Sequence, residues 1–318
     1  MEESYISPAG EGYKTPVEHL NIDLEDLEHY LLVSHINSRS VPKHIDEISY
    51  VLSNTNLDAV AVSETFIKAH TPQNLQKIPG WKFFKKNRIS NHGGGIGIFI
   101  RDHLAQNAKI IKLPQTFTQP ETLFVELTVK NTKVALGVIY KPPKIPYGVF
   151  ATIQESLAYI TTKYEHTIIT GDFNTNFLQP ESYPTSFFQV NVIEPFGLSQ
   201  IIKEPTRVTA TSSTLIDLVL VSNLDNVKKS GVVDVPGISD HCLVYLAYAV
   251  KKPKFVPKTF TRRDFKNFSQ EAFIQDLNTT PFENIFAVED HELDKKATIF
   301  ENYFNSALDR HAPYRYSS

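Results

Sequence analysis

Ile168-Ile169-Thr170-Gly171-Asp172-Phe173-Asn174 is the stretch that decides the fold. Its first three residues, apolar or β-branched, read as a buried strand. Gly171 ends the strand, and Asp172 and Asn174 follow two residues apart. If the backbone stays extended there, both side chains point the same way. A carboxylate and a carboxamide then project together from a strand end, where layered α/β proteins place their sites. Gly-Asp-x-Asn is equally ordinary turn chemistry, so partners elsewhere must decide between site and turn.

On the N-terminal side, residues 1–27 are polar, with Pro8, Gly10, Gly12 and Pro16, and read as a disordered arm. Residues 30–36 (YLLVSHI) read as a first strand, ended by Asn37-Ser38-Arg39-Ser40. Pro42 opens a helix reaching about residue 55, with Ile45, Ile48, Val51 and Leu52 on one face. Residues 58–62 read as a second strand, followed by Ser63-Glu64-Thr65. Strands over 81–84 and 96–100 flank Lys85-Lys86-Asn87-Arg88 and His92-Gly93-Gly94-Gly95. Three cations beside three glycines suit either a phosphate backbone or a solvated hairpin tip. Residues 122–129 and 134–140 form an expected hairpin ending in Tyr140-Lys141-Pro142-Pro143, and Phe150, Ile153, Leu157 and Ile160 mark a helix.

Beyond the opening stretch, residues 180–205 carry a weaker pattern. Residues 214–221 read as a strand, Val232 and Val233 precede Ser239-Asp240-His241, and 242–250 form the last core strand. Residues 251–263 hold six Lys or Arg and no acid, which reads as a basic linker. Two helical patterns follow. The second puts Leu293, Ala297, Phe300, Phe304 and Leu308 on one face and stops at Pro313.

The chain has 318 residues, 41% hydrophobic and 21% charged, as expected of a globular protein with an ample core. A net charge of −3 gives no global basic field, so any nucleic-acid binding must be local. The single Cys242 excludes an intramolecular disulfide framework and a thiolate metal cluster. The first 30 residues do not resemble a secretory leader, and no apolar run reaches the ~20 residues of a membrane span.

Polar residues gather at the strand ends: Asn37, Glu64, Tyr140, Asp172 with Asn174, Asp217, and Asp240 with His241. Asp217 is the most telling, because a carboxylate among the aliphatics of LIDLVLV must be paired or cost several kcal/mol. His241 is its expected partner. In this order the set resembles the exonuclease–endonuclease–phosphatase superfamily. It is most similar to the apurinic-type endonuclease domain of non-LTR, LINE-type retrotransposons, with NSRSV, SETF, HGGGIGIFI and GISDHCLV adding to the likeness. The likeness spans about residues 30–315, and the segment 251–318 resembles the linker before a reverse transcriptase. Two positions depart from the family pattern. Lys141 stands where Arg is frequent, and Arg39 stands where repair-type relatives carry an acid.

The resemblance implies a DNase I-like α/β fold: a four-layer sandwich of two facing mixed β-sheets flanked by helices, spanning 28–250. It implies a metal-dependent phosphodiesterase that nicks double-stranded DNA, with Mg2+ as cofactor and Mn2+ able to replace it. Glu64 would bind the metal with support from Asn37, and Asp240 would touch the metal or hold the histidine loop. Asp172 would activate water or, alternatively, bind the metal directly, while Asn174 and Tyr140 would contact phosphate oxygens. His241, held protonated by Asp217, would donate to the phosphate. Lys85, Lys86, Arg88 and Lys141, with the basic run 251–263, would grip DNA. A full-length element would supply a reverse transcriptase, whose motifs do not follow before Ser318, and chromosomal DNA implies the nucleus. An abasic-site repair nuclease, a phosphoesterase of the same fold and a catalytically silent DNA-binding module are the competing expectations. Residue by residue, Glu64 also suits a helix N-terminus, Asn37 a turn, and His35 and His92 a core or surface role.

Overall fold

The computed structural model describes residues 15–88, 93–114, 119–129, 131–235, 237–250 and 260–317. The chain divides into two units, Met1–Pro253 and Lys254–Ser318. The first begins with α1 (Pro16–Asp23), β1 (Leu31–Asn37), α2 (Ile45–Asn54), β2 (Ala59–Ser63), β3 (Trp81–Lys86) and β4 (Ile96–Arg101). A short helix α3 (Asp102–Ala105) leads to β5 (Lys109–Ile110), the β6–β7 hairpin (Glu121–Val129, Thr132–Tyr140), α4 (Gln154–Lys163) and β8 (His166–Asp172). Then follow α5 (Tyr183–Phe188), β9 (Ser199–Gln200), β10 (Arg207–Val208), β11 (Ser213–Thr214), β12 (Asp217–Val221), β13 (Val227–Val233) and β14 (Leu243–Tyr248).

Two six-stranded sheets result, in the orders β13-β14-β1-β2-β4-β3 and β5-β6-β7-β8-β12-β9. Each is mixed: β1–β2 in the first and β7–β8 in the second run parallel, and the other pairs are antiparallel. Alternation along β1 shows how the layers form. Leu31 and Val33 enter the core shared by both sheets, whereas Leu32 and Ile36 enter a second core that includes α1 and α2. Both faces of β1 are therefore covered, and all seven of its residues are buried. On the other sheet, Leu157 and Ile160 of α4 and Phe188 of α5 are buried in the shared cluster. The expected four-layer α/β sandwich is the fold.

The carboxyl ends of the two parallel pairs supply four site positions: Asn37, the residue after Ser63, Tyr140 and Asp172. Gly171 makes the last junction feasible. It pairs with Ile139, and a Cβ there would stand 1.8 Å from the Ile139 carbonyl oxygen.

Several expectations change. Within the expected arm, Thr15 caps α1 and Val17, Leu20 and Leu24 are buried in the outer core. The apolar residues recur at helical spacing but are diluted by acids, which hid the helix. Residues 1–14 lie outside the described residues. Asp217 opens β12 rather than sitting in mid-strand, and β13 pairs with β14 through a bulge at Val227/Lys229 that blurs its alternation.

In the second unit, 251–259 of the expected linker lie outside the described residues. Phe260–Arg263 forms β15, and α6 (Gln270–Thr279), α7 (Leu293–His311) and β16 (Tyr314–Ser317) follow, with β15 and β16 antiparallel. Asp276 of α6 accepts from Arg310 and His311 of α7, and Phe273 packs on Phe304 with ring centroids 5.8 Å apart. The expected α7 stripe is only partly covered: Leu293 is 70% and Phe300 49% exposed. Among the described residues, no helix is long and apolar enough to cross a membrane.

Candidate active site

Register builds the site. Glu121, Tyr140, Asp172 and Asp217 occupy one row across β6, β7, β8 and β12, each directly opposite the next. Opposed residues of neighbouring strands share a face, so this row gathers three carboxyls and a phenol. From the facing sheet, the Asn37 amide donates to Asp172 Oδ2 at 3.0 Å and to Glu64 Oε1 at 2.9 Å. Tyr140 Oη donates to the same Glu64 oxygen at 2.8 Å. Burial raises the Tyr140 phenol pKa, and the Glu64 carboxylate adds to the effect, so it stays a proton donor.

Asp172 is buried, with its Oδ1 accepting from the Asn174 backbone N–H at 3.0 Å. Burial pushes its carboxyl up to about 7 and the Asp217 charge adds to this, opposed by His241 and by the Asn37 and Asn174 hydrogen bonds. Across the row, Asp217 Oδ2 accepts from His241 Nδ1 at 2.8 Å and from Thr206 Oγ1 at 2.8 Å. Burial disfavours a charged His241, but the Asp217 charge and hydrogen bond outweigh it and raise the imidazole to about 9. The Asp217–His241 pairing expected from the sequence is thus present.

Asn174 shows why the opening stretch was ambiguous. Its φ is 46°, so the backbone has left the strand and the side chains of 172 and 174 are not parallel. Asn174 Nδ2 donates to the Lys141 carbonyl at 2.9 Å. The stretch is both a turn and part of the site.

Other expected residues lie differently. Asp240 is not gathered with Glu64 and Asp172. Its carboxylate is held by Arg207 through Nε and Nη2, both at 2.9 Å, and by Arg39 at 3.0 Å. Two guanidiniums meet its charge, an arrangement suited to the second part of the expectation, holding the histidine loop. Lys141 is fully buried with Nζ donating to the Pro142 carbonyl at 3.1 Å, so it is no surface cation. Arg88 bonds buried Glu121 and lies over the Tyr140 ring at 5.6 Å; Gly95 N donates to the other Glu121 oxygen at 2.6 Å. The loop cation Arg88 and the Gly95 amide therefore serve the interior. Lys85 donates to Gln76, and exposed Lys86 reaches the Thr122 carbonyl at 3.4 Å. His92 lies outside the described residues.

Sequence reading missed Glu121, Thr206, Arg207 and His35 as site neighbours. His35 had a signal: it stands two residues before Asn37 and so shares its face of β1. Its ring is fully buried, 3.2 Å from Ser63 Oγ and 3.7 Å from Asp217 Oδ1. Burial holds it neutral, at about 4, against the pull of Asp217.

The donor set fits a hard divalent cation at Glu64. Two carboxylates share one amide there, and the partly exposed Glu64 has no hydrogen-bond partner on Oε2 among the described residues. The ligand atoms of Asp172, Asp217 and His241 also lie within 4.8 Å of one another. Within that group His241 Nδ1 is hydrogen-bonded to Asp217 Oδ2.

Fold and site together define a DNase I-like sandwich with an acid–histidine cluster at the strand ends. Residues 21–241 match the model of the Endonuclease/Exonuclease/phosphatase family, and the chain belongs to that family. Its fold is similar to the endonuclease domain of TRAS1, a telomere-specific non-LTR retrotransposon: TM-score 0.54, 16% identity, covering 70% of this chain and 100% of that one. A 3′ phosphatase, NExo, from Neisseria, bound to product DNA hairpin, has TM-score 0.54 and 17% identity over 69% of this chain and 100% of its own. Humanized D. rerio TDP2 has TM-score 0.54 and 16% identity over 70% and 100%. No curated protein matches the chain.

Proposed function

We propose that this chain is a Mg2+-dependent endonuclease that hydrolyses DNA phosphodiester bonds, nicking duplex DNA and leaving 3′-hydroxyl ends. The observation that carries the reading is the continuous cluster Glu64–Asn37–Asp172 beside Asp217–His241, with Tyr140 closing it. Glu64, oriented by Asn37 and Tyr140, would hold the cation, which when bound neutralises phosphate charge. Asp172 orients the attacking water and takes its proton. His241, protonated and fixed by Asp217, donates to a phosphate oxygen as charge builds there. The new bond joins water oxygen to phosphorus and the bond to the 3′ oxygen breaks; that oxygen takes its proton from solvent, and Asp172 returns the proton it took from water to solvent.

Likeness to a retrotransposon endonuclease supports DNA as substrate, and a nick of this kind would serve an element's reverse transcriptase on chromosomal DNA in the nucleus. DNA would be held by exposed cations, Lys86 foremost. Supercoiled plasmid incubated with Mg2+ tests the reading. Nicked circles should appear with the wild type and vanish with Asp172→Ala or with chelator; no nicking by the wild type would refute it.

A further inference from the structure

Two buried polar atoms face one another without a hydrogen-bond partner among the described residues: His35 Nδ1 and Asp217 Oδ1, 3.7 Å apart. Such atoms are rare in folded proteins and cost free energy unless something answers them. They come from different sheets, His35 from β1 and Asp217 from β12. His35 and Asn37 are successive positions on one face of β1, and each addresses one of the two opposed aspartates: Asn37 meets Asp172 and His35 meets Asp217.

The ring's other nitrogen settles what His35 can offer. A neutral imidazole carries one N–H and one acceptor. Ser63 Oγ, 3.2 Å from Nε2, is a hydroxyl that can donate or accept; because a carboxylate oxygen faces Nδ1, the tautomer with its N–H on Nδ1 and Ser63 donating to Nε2 is the one that avoids two facing acceptors. Asp217 Oδ2 is already taken by His241 and Thr206, so Oδ1 is the oxygen left for His35.

We infer that His35 is a positioning residue of the phosphodiesterase reaction: from the opposite sheet, its Nδ1–H dipole, 3.7 Å from Oδ1, holds the Asp217 carboxylate electrostatically and thereby sets the angle at which His241 meets the phosphate. The role in catalysis rests on the function proposed above; the coupling of His35 to His241 does not. It also explains a fully buried histidine between Ser63 and Asp217, where Leu would hold neither.

The test uses the full chain and three variants, His35→Leu, His35→Asn and Ser63→Ala. The first readout needs no activity: the proton resonance of His241 Nδ1–H in the carboxylate hydrogen bond, assigned by its loss in His241→Gln. It should move and exchange faster in His35→Leu, shift the same way but less in Ser63→Ala, and stay near the wild-type position in His35→Asn, whose amide replaces the Nδ1 donor. The second readout is nicking of plasmid with Mg2+. His35→Leu should lower kcat on the order of 10–100-fold with KM for DNA unchanged, and His35→Asn should recover most of it. An unchanged resonance in both His35→Leu and Ser63→Ala, or equal kcat losses in His35→Leu and His35→Asn, overturns the inference. If the wild type nicks nothing while the resonance responds as described, the proposed function fails and the coupling stands.

Discussion

Asp172 and Asp217 stand directly opposite one another in the antiparallel register of β8 and β12. Two buried carboxyls so placed cannot share one environment. Asp217 faces His241 and Thr206, whereas Asp172 is met by the Asn37 amide and the Asn174 N–H. Burial first, and then the Asp217 charge, drive Asp172 toward protonation, whereas at His241 burial is outweighed by that same charge and the imidazole keeps its proton. The register thus gives the two carboxyls different surroundings, one beside an amide and one anchoring a histidine.

Nicking activity should follow a bell with pH. Asp172 must be ionised to act as base, so the rate rises through about 7; His241 must be protonated to donate, so the rate falls beyond about 9. A bound cation favours the carboxylate and moves the acid limb lower, which a comparison at limiting and saturating Mg2+ will show.

Replacing Asp217 by Ala leaves buried His241 without its acceptor. The expected loss is roughly 3–5 kcal/mol of stability, read as a lower urea midpoint near neutral pH. The sign can be checked: His241 is raised from 6.5 to about 9, so its pairing contributes fully below 6.5 and fades as pH climbs through 9. The wild-type advantage over Asp217→Ala should shrink over that window.

Glu121 opens β6 in the same row as Tyr140 and accepts from Arg88 and Gly95. Glu121→Ala leaves both donors unanswered, which costs about 1–3 kcal/mol, and frees the guanidinium lying over Tyr140. Thermal melting should drop, and kcat should fall although Glu121 touches no substrate. Unchanged values of both would show that this buttress is idle.

Leu20, 1% exposed, packs in the outer core from α1. Leu20→Ala should cost about 2–5 kcal/mol in urea unfolding, whereas a residue of a disordered arm would change stability by no more than about 0.5 kcal/mol.

The sandwich was legible because strand ends carry its polar residues: Asn37, Glu64, Tyr140 and Asp172 close β-rich runs at recognisable places. Asp217–His241 was legible because a carboxylate among aliphatics demands a partner. Hidden were contacts that depend on register between distant strands. Nothing local ties Glu121 to Tyr140 or His35 to Asp217, and Thr206 is one threonine among many. Two of the four expected DNA cations were misplaced for a related reason: Lys141 and Arg88 read as surface cations in sequence, but the fold turns both inward. Nor does the sequence show that Arg39 and Arg207 both reach Asp240, since they come from distant segments.

The most direct test is single-turnover cleavage of an end-labelled DNA duplex with Mg2+, comparing wild type with Asp172→Asn. The account predicts nicks whose 3′ ends a polymerase can extend, and a rate lowered by about 10²–10⁴-fold in the variant, whose amide cannot take a proton from water. Intact duplex with the wild type, or equal cleavage by both proteins, would contradict it.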